Sequence, residues 1–318
     1  MSKSRDPSGT FLRQKPSTGE ASNSNPATAE WQNSVGSGAN RPLAPALYLV
    51  ATPIGNARDI TLRALDVLRA CDVVAAEDTR VTSRLFAIHG ISRPLVPYND
   101  HNAAEARPRL IARLKRGERV ALVSDAGTPL VSDPGFKLVR EAIAAGIGVE
   151  AIPGSSAVLA ALTVSGLPTN RFLFAGFLPP KGGERRTALT KLKTLEATLI
   201  FFEAPQRLAE SLADMLTVLG PRPAMVGREL TKLHEEHRHG DIASLAEAYA
   251  KEHQPKGEIA IVIGPPLEAA TDYSKADKAL EGALEFMPVR AAADLVAEVL
   301  DLPRGALYKR ALAIKTDR

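Results

Sequence analysis

The chain has 318 residues, 45% of them hydrophobic, with 40 Lys and Arg against 36 Asp and Glu, a formal charge of +4. That length can bury a large core split between two or more domains, and so slight a charge does not by itself point to nucleic acid. The single cysteine, Cys71, excludes an internal disulfide framework and a cysteine-based metal site. With no apolar run near the roughly 18 residues of a membrane span and no signal-peptide core, a soluble cytoplasmic protein is expected.

Residues 1–44 are rich in Ser, Thr, Asn, Gly and Pro with no apolar period, which predicts a disordered tail; an RNA-touching arm is the functional alternative. Leu47 to Val50 reads as a strand, followed by the loop Ala51 to Asn56, a helix marked by Leu62, Leu65 and Leu68, and a second strand, Val73 to Ala76. That strand ends in Glu77-Asp78-Thr79-Arg80, a polar terminus that serves either as a cap with an ion pair or as part of a functional rim. An edge at Leu95 and Val96, a polar loop around His101 and a helix to Lys115 come next.

Residues 119–161 carry two strand-loop-helix turns in succession. Val120 to Val123 is a buried parallel strand by its unbroken apolar run, Ser124 to Gly135 is loop, and Asp133-Pro134 suits the start of a helix. Phe136, Val139 and Ile143 supply that helix's apolar stripe; Val149 to Ile152 then leads through Pro153-Gly154-Ser155-Ser156 into another helix. Adjacent turns at the carboxyl ends of strands form the crevice in which α/β sheets bind ligands. Neither a Gly-x-Gly-x-x-Gly nor a Gly-Lys-Ser sequence is present, so the common phosphate cradles are missing.

Gly166 to Thr169 reads as a linker, after which the alternation resumes. Phe172 to Leu178 is a strand, and Pro179 to Arg186 a loop whose Lys181, Arg185 and Arg186 suit phosphate contact or a solvated charge run. Leu199 to Phe202 is a strand, and Leu208, Leu212, Met215 and Leu219 form one core-facing helical stripe. After the strand Ala224 to Val226, His234, His237 and His239 lack the His-Glu-x-x-His spacing of a zinc helix, so a polar hairpin and no metal site are expected. Ile259 to Ile263 is the last strand. Helices over 277–286, 289–300 and 305–314 then read either as a helix-turn-helix element or as a small packing module.

Eight ordered motifs carry a family resemblance: ATPIGNARDIT (51–61), EDTR (77–80), SDAGTPLVSDPG (124–135), PGSSA (153–157), GFLPPKG (176–182), FFEAPQRL (201–208), RELTKLHEE (228–236) and KGEIAIVI (256–263). Through them the sequence resembles the tetrapyrrole methylase superfamily, and within it the 16S rRNA (cytidine-2′-O)-methyltransferases that act on cytidine 1402. The resemblance implies two α/β domains, over 45–166 and 170–266, with a cleft between them, behind the 1–44 tail and ahead of a helical extension over 272–318. It also implies S-adenosylmethionine as cofactor, 16S rRNA of the small subunit as partner, and a homodimer.

Onto this chain it places Pro53, Asp125, Gly127, Thr128, Val131, Ser132, Ser156 and Ala157 from the first half at the cofactor, with Phe202, Leu230 and Ala260 walling it from the second. Thr128 stands where the wider superfamily has the acid of a Gly-Asp-Pro turn, and the loop after the first strand lacks the corrin enzymes' Gly-x-Gly-Pro-Gly-Asp. Both departures weigh against a tetrapyrrole substrate. A methyltransferase of a tetrapyrrole or another small substrate is the first alternative, and a nucleic-acid-binding regulator with a degenerate enzyme core the second.

Methyl transfer to a ribose hydroxyl needs near-attack positioning first and a proton acceptor second. The rim offers Glu77, Asp78, Glu203, Glu229 and Lys232, of which Asp78 and Lys232 are the favoured bases; Arg80, Lys181, Arg185 and Arg186 are the candidate RNA phosphate contacts.

Overall fold

The computed structural model describes residues 43–131, 135–267 and 273–316. The expected tail, Ser132 and the Asp133-Pro134 helix start lie outside the described residues, apart from the tail's last two positions.

The first sheet comprises β1 (Leu47–Val50), β2 (Val73–Ala76), β3 (Leu95–Pro97), β4 (Val120–Val123) and β5 (Val149–Ile152), in the order β3-β2-β4-β1-β5. All its pairings are parallel. Parallel strands need crossover connections, and the helices α1 (Leu62–Ala70), α2 (Thr79–His89), α3 (Ala103–Lys115) and α4 (Phe136–Ala144) supply them. Because strand side chains alternate, Tyr48, Val50, Val74 and Val123 meet α1 and α2 on one face, while Leu47, Val73, Val120 and Leu122 meet α3 and α4 on the other. Both faces are covered, which is why the central strands are unbroken apolar runs.

The second sheet is mixed: β6 (Phe172–Phe177), β7 (Thr198–Glu203), β8 (Pro223–Arg228), β9 (Glu236–Asp241) and β10 (Ile259–Ile263) follow the order β6-β7-β10-β8-β9. Only the β6–β7 pairing is parallel. One face packs on α6 (Gly182–Thr190), α7 (Leu208–Leu219) and α8 (Ile242–Lys251). The other face receives α5 (Ala157–Val164), whose Val158, Ala161 and Leu162 join Ile200, Met225, Ala260 and Val262, so the helix that follows the first sheet is buried against the second. The helices α9 (Ser274–Ala283), α10 (Val289–Leu300) and α11 (Arg304–Thr316) enclose a core of their own around Leu280, Ala293, Val296 and Leu307.

The fold class is the expected one, with local differences. The stripe read for α4 is not its buried face: Phe136 and Ile143 are 66% and 62% exposed, and Leu138 and Ala142 are buried instead. The positive loop expected to reach Arg186 ends earlier, since α6 begins at Gly182 and Arg185 and Arg186 lie on its first turns. The histidine segment does form a hairpin arm, with β9 antiparallel to β8 and His239 bonded to the carbonyl of Val164.

Candidate active site

The site is built where β1 and β4 end. Thr52 and Gly127 exchange two backbone hydrogen bonds of 2.9 and 3.0 Å, and the Thr52 hydroxyl donates to the Ser124 carbonyl at 3.1 Å, so the two loops are one unit. Gly127 sits at φ +81°, a left-handed conformation that glycine adopts without steric cost. The Thr128 hydroxyl donates to the Ser155 carbonyl at 3.2 Å, tying in the turn after β5, and Ser156 caps α5 by accepting the Leu159 amide. Small residues line this rim, so it offers backbone amides and carbonyls to a ligand rather than bulk.

Against this rim lies a cavity of about 330 Å³, within the usual range for small-molecule sites. Gly127, Thr128, Val131, Ser156 and Ala157 face it from the first half, and Phe202, Leu230 and Ala260 from the second. Phe202 packs on Phe174 and Phe177 with ring centroids 4.7 and 5.7 Å away, making one wall aromatic. An apolar slot beside unencumbered backbone groups suits a nucleoside with an amino-acid tail, so the residues fit S-adenosylmethionine. Glu203 also borders the cavity, but it is 3% exposed and its oxygens already accept from the Ala204 amide, Arg207 and Ser211; it is structural.

Pro53 and Asp125 are not in that lining. They face a second cavity of about 230 Å³, together with Lys232 and Glu258. Burial pushes the Asp125 carboxyl up, and its Oδ1 accepts the Asp78 amide at 2.9 Å.

The two favoured bases are both ion-paired. The Asp78 carboxylate caps α2 and is gripped by the Arg80 guanidinium at 2.5 Å, which holds its pKa down at about 2, far below that of a useful proton acceptor at neutral pH. Burial works to lower the Lys232 ammonium, but hydrogen bonds to Glu229 at 2.7 Å and Glu258 at 3.0 Å outweigh it and raise its pKa, so the side chain is a held cation.

The phosphate contacts divide as well. Arg185 is 3% exposed and fixed by Asp214 at 2.6 Å and the Pro180 carbonyl at 3.2 Å, so it serves the fold and cannot reach RNA. Arg186 shares Asp214 at 2.9 Å but keeps a half-exposed side chain, and Lys181 and Arg80 are well exposed. Sequence reasoning passed over Ile54, Phe177 and Glu258 as site residues; the quoted motifs contain all three, and Glu258 was marked only by the glycine before it. Among the described residues no cluster of His, Cys, Asp and Glu has metal-holding geometry, and no helix is long and apolar enough to cross a membrane.

Two packed α/β layers with a small-residue rim facing an aromatic wall define a class, and the family model for tetrapyrrole (corrin/porphyrin) methylases matches residues 46–246. The chain is a methyltransferase that takes its methyl group from S-adenosylmethionine. A second family model, the RsmI C-terminal HTH domain, matches residues 270–315. Ribosomal RNA small subunit methyltransferase I of Mesorhizobium japonicum is 56% identical over 276 residues, covering 86% of this chain and 94% of that protein. Its Pseudomonas aeruginosa counterpart is 47% identical, with 85% and 97% covered. The chain thus belongs to the ribosomal RNA small subunit methyltransferase I family. Among solved structures, uroporphyrin-III C-methyltransferase of Thermus thermophilus aligns with a TM-score of 0.50 at 25% identity, over 69% of this chain and 93% of its own.

Proposed function

We propose that the protein 2′-O-methylates the ribose of cytidine 1402 in 16S rRNA of the small ribosomal subunit, acting in the cytoplasm as a homodimer of two-domain chains divided near residues 166–170. The observation that carries this reading is the extent of the relationship. Relatives named for small-subunit ribosomal RNA match 85% or more of the chain at about half identity, whereas the uroporphyrin-type structure covers only 69% of it. The site's geometry is consistent with it, because the donor cavity adjoins a second cavity of about 230 Å³ whose largely apolar lining carries the charged groups Asp125, Lys232 and Glu258.

When bound, S-adenosylmethionine supplies an activated methyl group on a sulfonium. The chain's own task is then positioning, through the 127–128 and 156–157 backbone, the Phe202 wall and the Leu230 and Ala260 side chains. Arg80, Lys181 and Arg186 are the cations for RNA phosphates. Incubation of undermethylated small subunits with labelled S-adenosylmethionine should place label in 16S rRNA at a ribose that resists alkaline cleavage. Label found only in a uroporphyrinogen-type substrate would overturn the reading.

A further inference from the structure

The donor cavity and the second cavity share a wall made by Ile54, Ala126 and Glu258. With the methyl donor in the first cavity and the acceptor in the second, the reacting atoms meet at this border, and of its three side chains only the Glu258 carboxylate can take up a proton.

The turn between β8 and β9 is shaped to hold that carboxylate. Gly257 sits at φ +97°, and a Cβ there would come within 2.4 Å of the Glu229 carboxylate. Glu229 and Thr231 themselves adopt φ of +50° and +66°, a region that side-chain-bearing residues rarely occupy and that concentrates at functional sites. The Glu229 amide donates to the Glu258 carbonyl and the Glu258 amide to Glu229 Oε1, both at 2.9 Å. Lys232 then bridges Glu229 Oε1 and Glu258 Oε2. Its stem lies over Gly55, where a Cβ would be 2.3 Å from Lys232 Cγ, and the Asn56 amide donates to the Thr231 hydroxyl at 3.3 Å. A strained turn of the second sheet is thus docked on the loop after β1, with Glu258 at the junction.

We infer that the second cavity seats the acceptor nucleotide and that Glu258 is the catalytic residue that takes the proton from its hydroxyl, with Lys232 as the positioning residue that orients the carboxylate. The inference rests on the methyltransferase reading above. A lone pair on the hydroxyl oxygen forms the new C–O bond as the C–S bond breaks. The electrons of that bond return to sulfur, leaving a neutral thioether, and the proton passes to Glu258 and on to water along its exposed side, the side chain being 73% open. The Lys232 ammonium, 3.0 Å from Glu258 Oε2 and 2.7 Å from Glu229 Oε1, fixes the carboxylate at this border and leaves its other oxygen for the proton. Asp125 faces the same cavity but does not border the donor cavity.

The test compares wild type, Glu258→Gln, Glu258→Ala and Asp125→Asn on undermethylated small subunits, measuring kcat, KM and the S-adenosylmethionine Kd. Glu258→Gln is expected to lose on the order of a hundredfold in kcat, with KM and Kd within about threefold of wild type, which also certifies the fold. Glu258→Ala should regain activity on addition of formate, which a purely structural role would not produce. A Glu258→Gln enzyme that turns over at the wild-type rate, or a loss of turnover confined to Asp125→Asn, overturns the inference while the proposed function stands. A wild type that binds S-adenosylmethionine but labels no subunit overturns both.

Discussion

Arg185 and Asp214 illustrate what a residue's charge alone does not reveal. Their side chains are 4% and 13% exposed, and they face each other at 2.6 Å across α6 and α7. Arg186 still reaches Asp214, and Glu210 and the Pro180 carbonyl still reach Arg185, so Arg185→Ala or Asp214→Asn should each destabilise the protein by about 1–3 kcal/mol, read by urea denaturation, with S-adenosylmethionine affinity per folded molecule unchanged. In the sequence Arg185 was one of three cations beside two glycines, and its acid comes much later in the chain, so nothing local separated it from the exposed Lys181. Asp72 makes the complementary case. Hydrogen bonds from the Arg119 side chain and amide hold its pKa down at about 2, below the ordinary aspartate range. A carboxylate lowered in the folded state contributes stability that is fully present above about pH 4 and fades as pH falls toward about 2. Asp72→Asn should therefore cost about 1 kcal/mol at neutral pH and flatten the acid limb of the stability curve, as measured by denaturation between pH 2 and 7.

At the scale of elements, α4 shows how a helix can be found for the wrong reason. Its nine residues, FKLVREAIA, carry two apolar stripes. The stripe through Phe136 and Ile143 predicted the helix, while Leu138 and Ala142 fill the space under the first sheet. Leu138→Ala should cost about 2–5 kcal/mol, whereas Phe136→Ser and Ile143→Ser should stay within about 0.5 kcal/mol. A loss at Phe136 that grows with protein concentration in thermal melts would mean that another chain covers this face. Period distinguishes a helix from a strand but does not choose between two faces; only packing does. The α7 stripe was legible because Leu208, Leu212, Met215 and Leu219 leave no competing face, and all four are buried. The strands were legible from their unbroken apolar runs, but such runs carry no direction, so the antiparallel pairings of β10 with β7 and β8 could not be read from them.

At the scale of the whole molecule, the site belongs to both sheets, and that governed what could be foreseen. The first half's rim followed from two adjacent loop turns, whereas Glu258 acquires its place only when the turn of the second sheet docks on Gly55 and Asn56. The exposed cations are likewise spread over both halves. If they meet RNA backbone, Arg80→Ala and Lys181→Ala should each raise KM for subunits and reduce the log–log salt dependence by about one, with S-adenosylmethionine binding unaltered. A further consequence lies in the strand order of the first sheet, where β1 is inserted between β4 and β5. During synthesis the first strand to leave the ribosome has no strand to pair with until β4 and β5 have followed it. Its backbone N–H and C=O groups stay unpaired, and its apolar side chains uncovered, through most of the first half's translation, a window in which open strand edges are prone to aggregate. For this protein, translation speed between β1 and β5 should govern the yield of folded chain more than the stability of the finished molecule does.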